Sequence, residues 1–261
     1  MIRITDTVKH LLIINVLVWI ATLTIGNYGD VFNNLFALHF PKSEMFKPWQ
    51  IFTHMFMHAS YYPSGTGMSI YFQHILFNMF ALWMFGSPVE QMFGSKKFLF
   101  FYISAGIGAV LLQLGVNYFQ FESGFSSLIH AGFTNDEIYE ILKAGETNRE
   151  LSPESLDTFK SMYNIFNGTM VGASGAIMGV LVAFGMLFPE SRLMLIFLPI
   201  PIKAKYFIPG IILLDLFSAL TGISVFSPSN TAFLAHIGGA LTGFIMMWYW
   251  KKNQFNNNRW D

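Results

Sequence analysis

The stretch from Gly172 to Gly179 reads Gly-Ala-Ser-Gly-Ala-Ile-Met-Gly, and it opens an apolar run that ends at Phe188 and Pro189. Nearly every residue around Ser174 is small, so another backbone has room to approach the hydroxyl closely. A stripe of this kind is most often a close-packing face of a membrane helix, whose serine bonds its own backbone. The rest of the chain decides whether Ser174 has only that packing role.

The composition is typical of membrane proteins. Of the 261 residues, 53% are hydrophobic and 11% are charged, whereas soluble domains average about 25% charged residues. The formal net charge is zero, so nothing indicates a nucleic-acid-binding surface. The absence of cysteine excludes disulfides, thiol catalysis and cysteine metal sites, but it does not fix the compartment.

Six apolar runs are long enough, or nearly so, to cross a hydrocarbon core of about 30 Å. Each is predicted to be a helix, because backbone polar groups find no other partners in lipid. The runs are Val8–Gly26, Ile70–Gly86, Phe98–Phe119, Met170–Phe188, Tyr206–Val225 and Ala232–Trp250. The predicted fold class is an all-α polytopic membrane protein with a six-helix bundle. The first run is expected to remain as an anchor, because no small-x-small cleavage site ends it.

The distribution of lysine and arginine predicts the orientation. With a cytoplasmic N-terminus, the inner segments carry ten of these residues and the outer segments five, three of them in one acidic insert. Cytoplasmic loops carry the excess of positive charge, so both termini are predicted to be inside. The lack of cysteine and the abundance of Asn, Ile, Lys and Phe are compatible with a bacterial plasma membrane.

We expect one membrane domain over residues 1–261, with its core at about 8–119 and 169–250 and a cytoplasmic tail at 251–261. The first outer loop, residues 27–69, is aromatic and only weakly polar. Aromatic side chains favour the headgroup level, so this loop is predicted to lie against or within the outer leaflet.

The segment 120–168 is the only stretch that is typical of a soluble structure, and a helical hairpin is predicted there. Thr134 and Glu137 form a capping box that opens a short helix, which Gly145 can close. Ser152 and Pro153 open a second helix. Its predicted apolar face, turned toward the membrane, comprises Leu156, Phe159, Met162, Tyr163 and Phe166. The segment carries eight acidic and three basic residues, and we expect it to shield the outer opening.

Polar side chains inside the apolar runs are candidate functional groups, because burying them in lipid is costly. The candidates are Asn15, His74, Asn78, Gln113, Asp215 and His236. His74 and Asn78 are four residues apart and share one helix face. They either supply two hydrogen-bond donors to one point or form a helix-packing pair.

His236 borders a second stripe of small residues. Gly239 and Gly243 follow it, and Gly175 and Gly179 form the matching stripe after Ser174. Two such faces let helix backbones approach unusually closely. Because both runs enter from outside, Ser174 and His236 are predicted to meet near the outer end. The 15 residues from Ser174 to Phe188 span about 22 Å of helix, so Ser174 is expected below the outer boundary.

This pairing permits nucleophilic acyl transfer. Ser174 would attack a carbonyl while His236 accepts its proton and later returns it to the leaving amine. The oxyanion would lie at the N-terminus of a helix, where N–H groups are free, with His74 and Asn78 completing the hole. No carboxylate is obviously placed to orient His236, and Asp215 is interpreted as a structural or loop-bonding residue.

At this point the sequence resembles the rhomboid family of intramembrane serine proteases, over roughly Pro48–Gly115 and Gly172–Trp250. The ordered elements that carry the resemblance are Trp49-Gln50, His54, His58, His74-Ile-Leu-Phe-Asn78-Met, Val89-Glu90-Gln-Met-Phe-Gly94, Gly172-Ala-Ser174-Gly and Ala235-His236-Ile-Gly-Gly239. The resemblance implies a Ser174–His236 dyad and oxyanion donors at His74, Asn78 and the Ser174 N–H. It also implies a gate at the fifth apolar run, Tyr206–Val225, and a cap at the loop Ile223–Asn230. It implies cleavage of transmembrane segments of membrane proteins near the outer face, and no cofactor.

Further motif residues are given supporting roles. Trp49, His54, His58 and Glu90 are predicted to support the first loop. Met178 stands where the family usually has Tyr or Phe beneath the histidine ring, and a thioether can also pack there. The oligomeric state stays open. A second departure is Gln50, which replaces the usual Arg, so its interfacial contacts are expected to differ.

Three other functional classes have weaker support. His54 and His58 have metal-ligand spacing, but Met55 occupies the position of the usual glutamate. Rhomboid-like proteins that bind membrane clients without cutting them typically lose the serine, the histidine or the glycine pattern, and this chain keeps all three. A transporter would show more midplane charge or paired broken helices.

Overall fold

The computed structural model describes residues 3–65, 67–195, 198–224 and 232–257. Its helices are α1 (Asp6–Thr24), α2 (Asp30–Phe36), α3 (Gln50–Thr53), α4 (Gln73–Ala81), α5 (Ser87–Phe93), α6 (Ser95–His130), α7 (Asn135–Ala144), α8 (Pro153–Asn167), α9 (Ser174–Leu187), α10 (Ala204–Thr221) and α11 (Phe233–Asn257). Its strands are β1 (Leu38–His39), β2 (Tyr61–Ser64), β3 (Gly67–Ile70), β4 (Thr169–Met170), β5 (Arg192–Leu195) and β6 (Leu198–Lys203). These form the two-stranded antiparallel ladders β1–β4, β2–β3 and β5–β6.

Helices dominate, and the chain is a polytopic α-helical membrane protein. In the described part of the chain, three helices are long and apolar enough to cross a membrane, namely α1, α6 and α10. Of the other three predicted runs, the fourth contains the short α9 and the second contains a segmented helix, whereas the sixth contains the 25-residue α11. The second run begins as a helix only at Gln73, passes through a π-helical turn at Leu82–Gly86 and continues to Phe93.

Helix α9 is short for a spanning element. Its 14 residues give about 21 Å of helix, against a hydrocarbon core of about 30 Å. Ser174 is its first residue. The residues directly before it, 168–173, are not helical and include the two residues of β4.

The insert, residues 120–168, packs differently from the prediction. The capping box of Thr134 and Glu137 is confirmed, and so is the Ser152 cap of α8. However, α6 continues beyond Phe119 to His130, and α7 and α8 pack on this extension rather than facing the membrane. The shared core comprises Phe40, Phe121, Leu128, Phe133, Ile138, Leu142, Phe159, Met162 and Phe166. Two residues of the predicted face, Leu156 and Tyr163, are exposed.

The first loop is fastened to the insert. Strand β1 of this loop pairs with β4, with Leu38 opposite Met170 and His39 opposite Thr169. Phe40 enters the core of the insert, and Lys42 forms an ion pair with Glu122. Because β4 leads directly to Ser174, the first loop and the insert together fix the approach to α9.

At the other end of the bundle, β5 and β6 form a hairpin between α9 and α10. Glu190 accepts hydrogen bonds from Lys203 and Lys205, which hold the pKa of its carboxyl at about 2. Helix α11 continues into the predicted tail as far as Asn257. Most of the predicted cap loop, Ile223–Asn230, lies outside the described residues.

The predicted role of Glu90 in the first loop is wrong. Its carboxylate caps the N-terminus of α1, at the opposite end of that helix from the loop. It accepts hydrogen bonds from the N–H groups of Thr7 and Val8, each at 2.9 Å, from the Ser95 hydroxyl at 2.7 Å and from the Thr5 hydroxyl. The turn between α5 and α6 brings it there, so a carboxylate satisfies the free N–H groups of a distant helix.

Replacing Glu90 with alanine is expected to lower the free energy of unfolding by about 2–4 kcal/mol, because buried N–H groups lose a charged acceptor. Thermal unfolding in detergent micelles measures the effect. Glu140→Ala, which removes an exposed carboxylate from α7, is the matched control. Equal unfolding temperatures for the two variants would contradict this capping role.

Candidate active site

The two residues predicted to form a dyad meet in the structure. Ser174 Oγ lies 2.9 Å from His236 Nε2, within hydrogen-bond distance. Ser174 begins α9, and His236 lies in the first turn of α11. Both side chains are partly buried.

Glycine packing explains how a side chain as short as serine reaches the histidine. An ideal Cβ on Gly239 would lie 1.8 Å from the carbonyl oxygen of Gly175, and one on Gly243 would lie 2.7 Å from Gly179 Cα. Helices α9 and α11 therefore touch backbone to backbone, as the two stripes predicted. Helix α6 packs as closely, because a Cβ on Gly238 would lie 2.7 Å from the carbonyl oxygen of Gly108.

A third residue completes the arrangement, and its interpretation as structural or loop-bonding needs correction. Asp215 Oδ2, on α10, lies 2.9 Å from His236 Nδ1, and only 7% of Asp215 is exposed. A carboxylate there accepts the Nδ1–H, so Nε2 is left as the acceptor for the Ser174 hydroxyl. Asp215 thus fixes the tautomer that a general base needs. The sequence feature that could have indicated this role of Asp215 was its position as a lone carboxylate in an apolar run.

Gly172 opens a small space between Ser174 and His74. Its φ of +129° is rarely adopted by residues with side chains, and an added Cβ would lie 3.1 Å from His74 Nε2 and 3.6 Å from Ser174 Oγ. His74 Nδ1 accepts the Ala59 N–H at 3.1 Å. The neutral ring therefore carries its proton on Nε2, which faces this space as a donor.

Asn78 lies one turn further along α4 and is buried. Its side-chain amide donates to the carbonyl of His74 at 2.8 Å. The N–H of Ser174 lies in the first turn of α9, where helix N–H groups have no intrahelical acceptor. The oxyanion roles of His74, Asn78 and the Ser174 N–H stay predictions. The orientation of the His74 ring supports the role predicted for His74.

The histidines of the first loop bind different partners. His54 Nδ1 lies 2.9 Å from the carbonyl of Gln50, and the carbonyl of His54 accepts the Gly172 N–H at 3.0 Å. His58 Nε2 lies 2.8 Å from Asn15 Oδ1 on α1. The backbone of His54 thus holds the residue beside the candidate oxyanion space, a contact that the sequence did not indicate. Within the described ranges, no group of three His, Asp or Glu residues is arranged to hold a metal ion.

Gln50 is fully buried and organises the first loop. Its Oε1 accepts the N–H groups of His39 and Lys47, and its Nε2 donates to the carbonyls of Asn34 and Met45. A neutral amide therefore satisfies both its donors and its acceptor within the loop. Trp49, beside it, is half exposed and donates its indole N–H to the carbonyl of Leu35 at 2.8 Å.

Met178 lies one turn after Ser174 in the core of the bundle, where only 6% of it is exposed. Its packing beneath the His236 ring stays a prediction.

Comparison with known proteins finds similarity over the part of the chain that contains Ser174 and His236. The model of the rhomboid domain matches residues 45–135 and 156–253, more than half of the chain. Human "Presenilin-associated rhomboid-like protein, mitochondrial" is 29% identical over 177 residues, which cover 67% of this chain and 33% of that protein. "Rhomboid protein 1, mitochondrial" of Saccharomyces cerevisiae is 24% identical over 181 residues, covering 69% and 39%. "Rhomboid protease GluP" of Bacillus subtilis is 53% identical over 34 residues, covering 13% and 7%. This chain spans about a third of the length of its mammalian relative.

Proposed function

This chain belongs to the rhomboid family, and we propose that it is an intramembrane serine endopeptidase that cleaves transmembrane segments of membrane proteins near the outer face. The observation that carries the proposal is the line of contacts from Ser174 Oγ to His236 Nε2 and from His236 Nδ1 to Asp215. Family membership supports a protease-type function in general, and these contacts support the proposed serine chemistry.

In the first half of the reaction, Ser174 Oγ attacks the carbonyl carbon of the scissile peptide bond and its proton passes to His236 Nε2. We assign the stabilisation of the negative charge that develops on the carbonyl oxygen to the His74 Nε2–H and the Ser174 N–H, and the position of His74 Nε2 beside Gly172 supports the first of these roles. The C–N bond then breaks, and the amine leaves with the proton from His236. The substrate's acyl group remains on Ser174 as an ester.

In the second half, water attacks the ester carbonyl and gives a proton to His236 Nε2. The bond to Ser174 Oγ breaks, the serine regains its proton and a carboxylic acid leaves. Throughout, Asp215 accepts the Nδ1–H and stabilises the imidazolium that forms at each proton transfer. The water must reach Ser174 at the N-terminus of α9, which we propose to lie below the membrane surface.

We place both termini on the cytoplasmic side, because the inner loops carry the excess of lysine and arginine. The partners are then the lipid bilayer and membrane proteins whose spanning segments unwind near the outer face. The membrane that we propose is the bacterial plasma membrane. The named relatives include two mitochondrial proteins and one from Bacillus subtilis.

The second candidate function is client binding without cleavage. The paired Ser174 and His236 and the buried Asp215 favour an enzyme over this alternative. Client binding does not require a serine hydroxyl 2.9 Å from a histidine whose tautomer is fixed, whereas nucleophilic catalysis does.

The test is to reconstitute the purified chain in proteoliposomes with a single-span substrate that is labelled at both ends. We expect two fragments whose junction, mapped by mass spectrometry, lies within or beside the outer end of the span. Co-purification of intact substrate with no fragments would instead support client binding.

Replacing Asp215 with asparagine is expected to reduce kcat by about 10²- to 10⁴-fold with little change in KM, because the amide no longer fixes the productive tautomer of His236. Initial rates in the same proteoliposomes measure it. Asp157→Asn, on the exposed face of α8, is the control and should retain the full rate. A kcat for Asp215→Asn within threefold of the native value would show that Asp215 does not orient the base.

A further inference from the structure

The hairpin of β2 and β3 forms the last part of the first loop, directly before α4 and His74, and the proposed reaction gives it no role. Its strands pair Tyr61 with Ile70 and Tyr62 with Ser69. The Tyr71 N–H closes its base by donating to the carbonyl of Ser60 at 2.8 Å. The Tyr61 hydroxyl donates to the carbonyl of Leu23 at 2.9 Å, which anchors the hairpin to the outer end of α1.

Residues on both sides of this hairpin, Ala59 before it and Tyr71 after it, contact the imidazole of His74. On one side, the Ala59 N–H donates to His74 Nδ1 at 3.1 Å. On the other, the ring of Tyr71 lies nearly parallel to the imidazole, with an interplanar angle of 28° and centroids 6.5 Å apart. His58 adds an edge-on contact, at 72° and 5.2 Å.

These contacts bear on which nitrogen of His74 carries the proton. A free imidazole exchanges its proton between the two nitrogens, and only the Nε2–H form can donate into the space beside Gly172. The Ala59 N–H selects this form because it requires a lone pair on Nδ1. The ring contacts hinder a rotation that would turn Nε2 away from that space.

We propose that the β2–β3 hairpin is a positioning element for His74, in which the Ala59 N–H and the Tyr71 ring hold the imidazole as an Nε2–H donor facing Gly172. This inference rests on the proposed function for its catalytic consequence, but not for the tautomer itself. Ala59 and Tyr71 act through His74 and do not touch the reacting atoms.

The main test replaces Ala59 with proline, which has no N–H, and compares it with Ala59→Gly, which keeps the donor. Ala59 lies outside helix and strand, where proline is tolerated more easily. We expect kcat for Ala59→Pro to fall about 10- to 100-fold with KM unchanged, because a donor to the oxyanion is lost. Ala59→Gly should stay within threefold of the native rate.

A second pair of variants keeps the proposal testable if Ala59→Pro does not fold. Tyr71→Leu removes the ring beside His74, whereas Tyr71→Phe retains it. We expect kcat to fall severalfold for the leucine variant and to be restored by phenylalanine. Equal rates for leucine and phenylalanine, or a normal kcat for a folded Ala59→Pro variant, would overturn the positioning role.

The tautomer is read directly from ¹⁵N spectra of histidine-labelled protein, with His74→Gln used to assign the resonances. We expect His74 to be protonated at Nε2 and unprotonated at Nδ1 in the native chain, and to be a mixture in Ala59→Pro. A native His74 protonated at Nδ1 would overturn the inference even if the enzyme cleaves. Conversely, the predicted tautomer in a chain that cleaves nothing would contradict the proposed function alone.

Discussion

Alanine at Ser174 or at His236 is expected to reduce cleavage of a transmembrane substrate by at least about 10³-fold, because either change removes a group that forms or breaks bonds. The 2.9 Å contact between the two side chains makes them one functional unit. The double variant should therefore be no slower than the slower single variant. Single-turnover cleavage in proteoliposomes measures all three.

The matched controls are Ser161→Ala and His10→Ala, which change exposed residues of the same types in α8 and α1. Both should cleave at the native rate, and all variants should unfold at similar temperatures. Measurable turnover by a folded Ser174→Ala variant would mean that another nucleophile does the chemistry.

Alanine at Gly239 is expected to lower the free energy of unfolding by about 3 kcal/mol or more and to abolish activity. The added methyl group would lie 1.8 Å from the carbonyl oxygen of Gly175. A backbone atom cannot rotate away as a side chain can, so α9 and α11 must separate. That separation pulls His236 from Ser174.

Gly115→Ala is the control for this prediction. Gly115 lies in α6, and an added Cβ would meet no atom within 4 Å. Alanine is a better helix former than glycine by about 1 kcal/mol, so this variant should be as stable as the native chain or more so. If Gly239→Ala unfolds at the temperature of Gly115→Ala and still cleaves, the backbone contact of α9 and α11 is not what forms the site.

The parts of the site that were predictable from the sequence depend on local patterns. Small residues after Ser174 and after His236 recur at helical spacing, and such stripes predict close contact of two helices whichever way the remaining bundle is arranged. The four-residue spacing of His74 and Asn78 likewise fixes their shared face of α4. The capping box at Thr134 specifies the start of α7 because its two hydrogen bonds lie within one turn.

The parts that could not be predicted depend on contacts between distant segments. Asp215 and His236 are 21 positions apart, and only the packing of α10 against α11 brings the carboxylate to Nδ1. The role of Glu90 is of the same kind, because its partners at Thr7 and Val8 lie more than 80 residues away. The motif around Glu90 shows that this residue matters without showing which groups it binds, and Asp215 lies in none of the motifs.

The insert and the hairpin show a further limit of sequence patterns. The apolar stripe of α8 predicts that one face is buried but not which surface covers it. In the structure this face packs against Phe121 and Leu128 on the extension of α6. Residues 61–70 carry a turn signal at Pro63, Ser64 and Gly65 but no alternation of polar and apolar residues, and the hairpin is anchored at Ser60 and Leu23. Those anchors exist only once α1 and the first loop are in place.

The most direct measurement of the central claim is covalent labelling with a serine-directed fluorophosphonate, followed by mapping of the adduct by mass spectrometry. We predict one adduct, on Ser174, in the native chain in lipid, with labelling of His236→Ala slower by at least about 10²-fold, because a serine without its base is a weak nucleophile. An adduct on another residue, or equal labelling of Ser174 in the native chain and in His236→Ala, would contradict the claim that His236 activates Ser174.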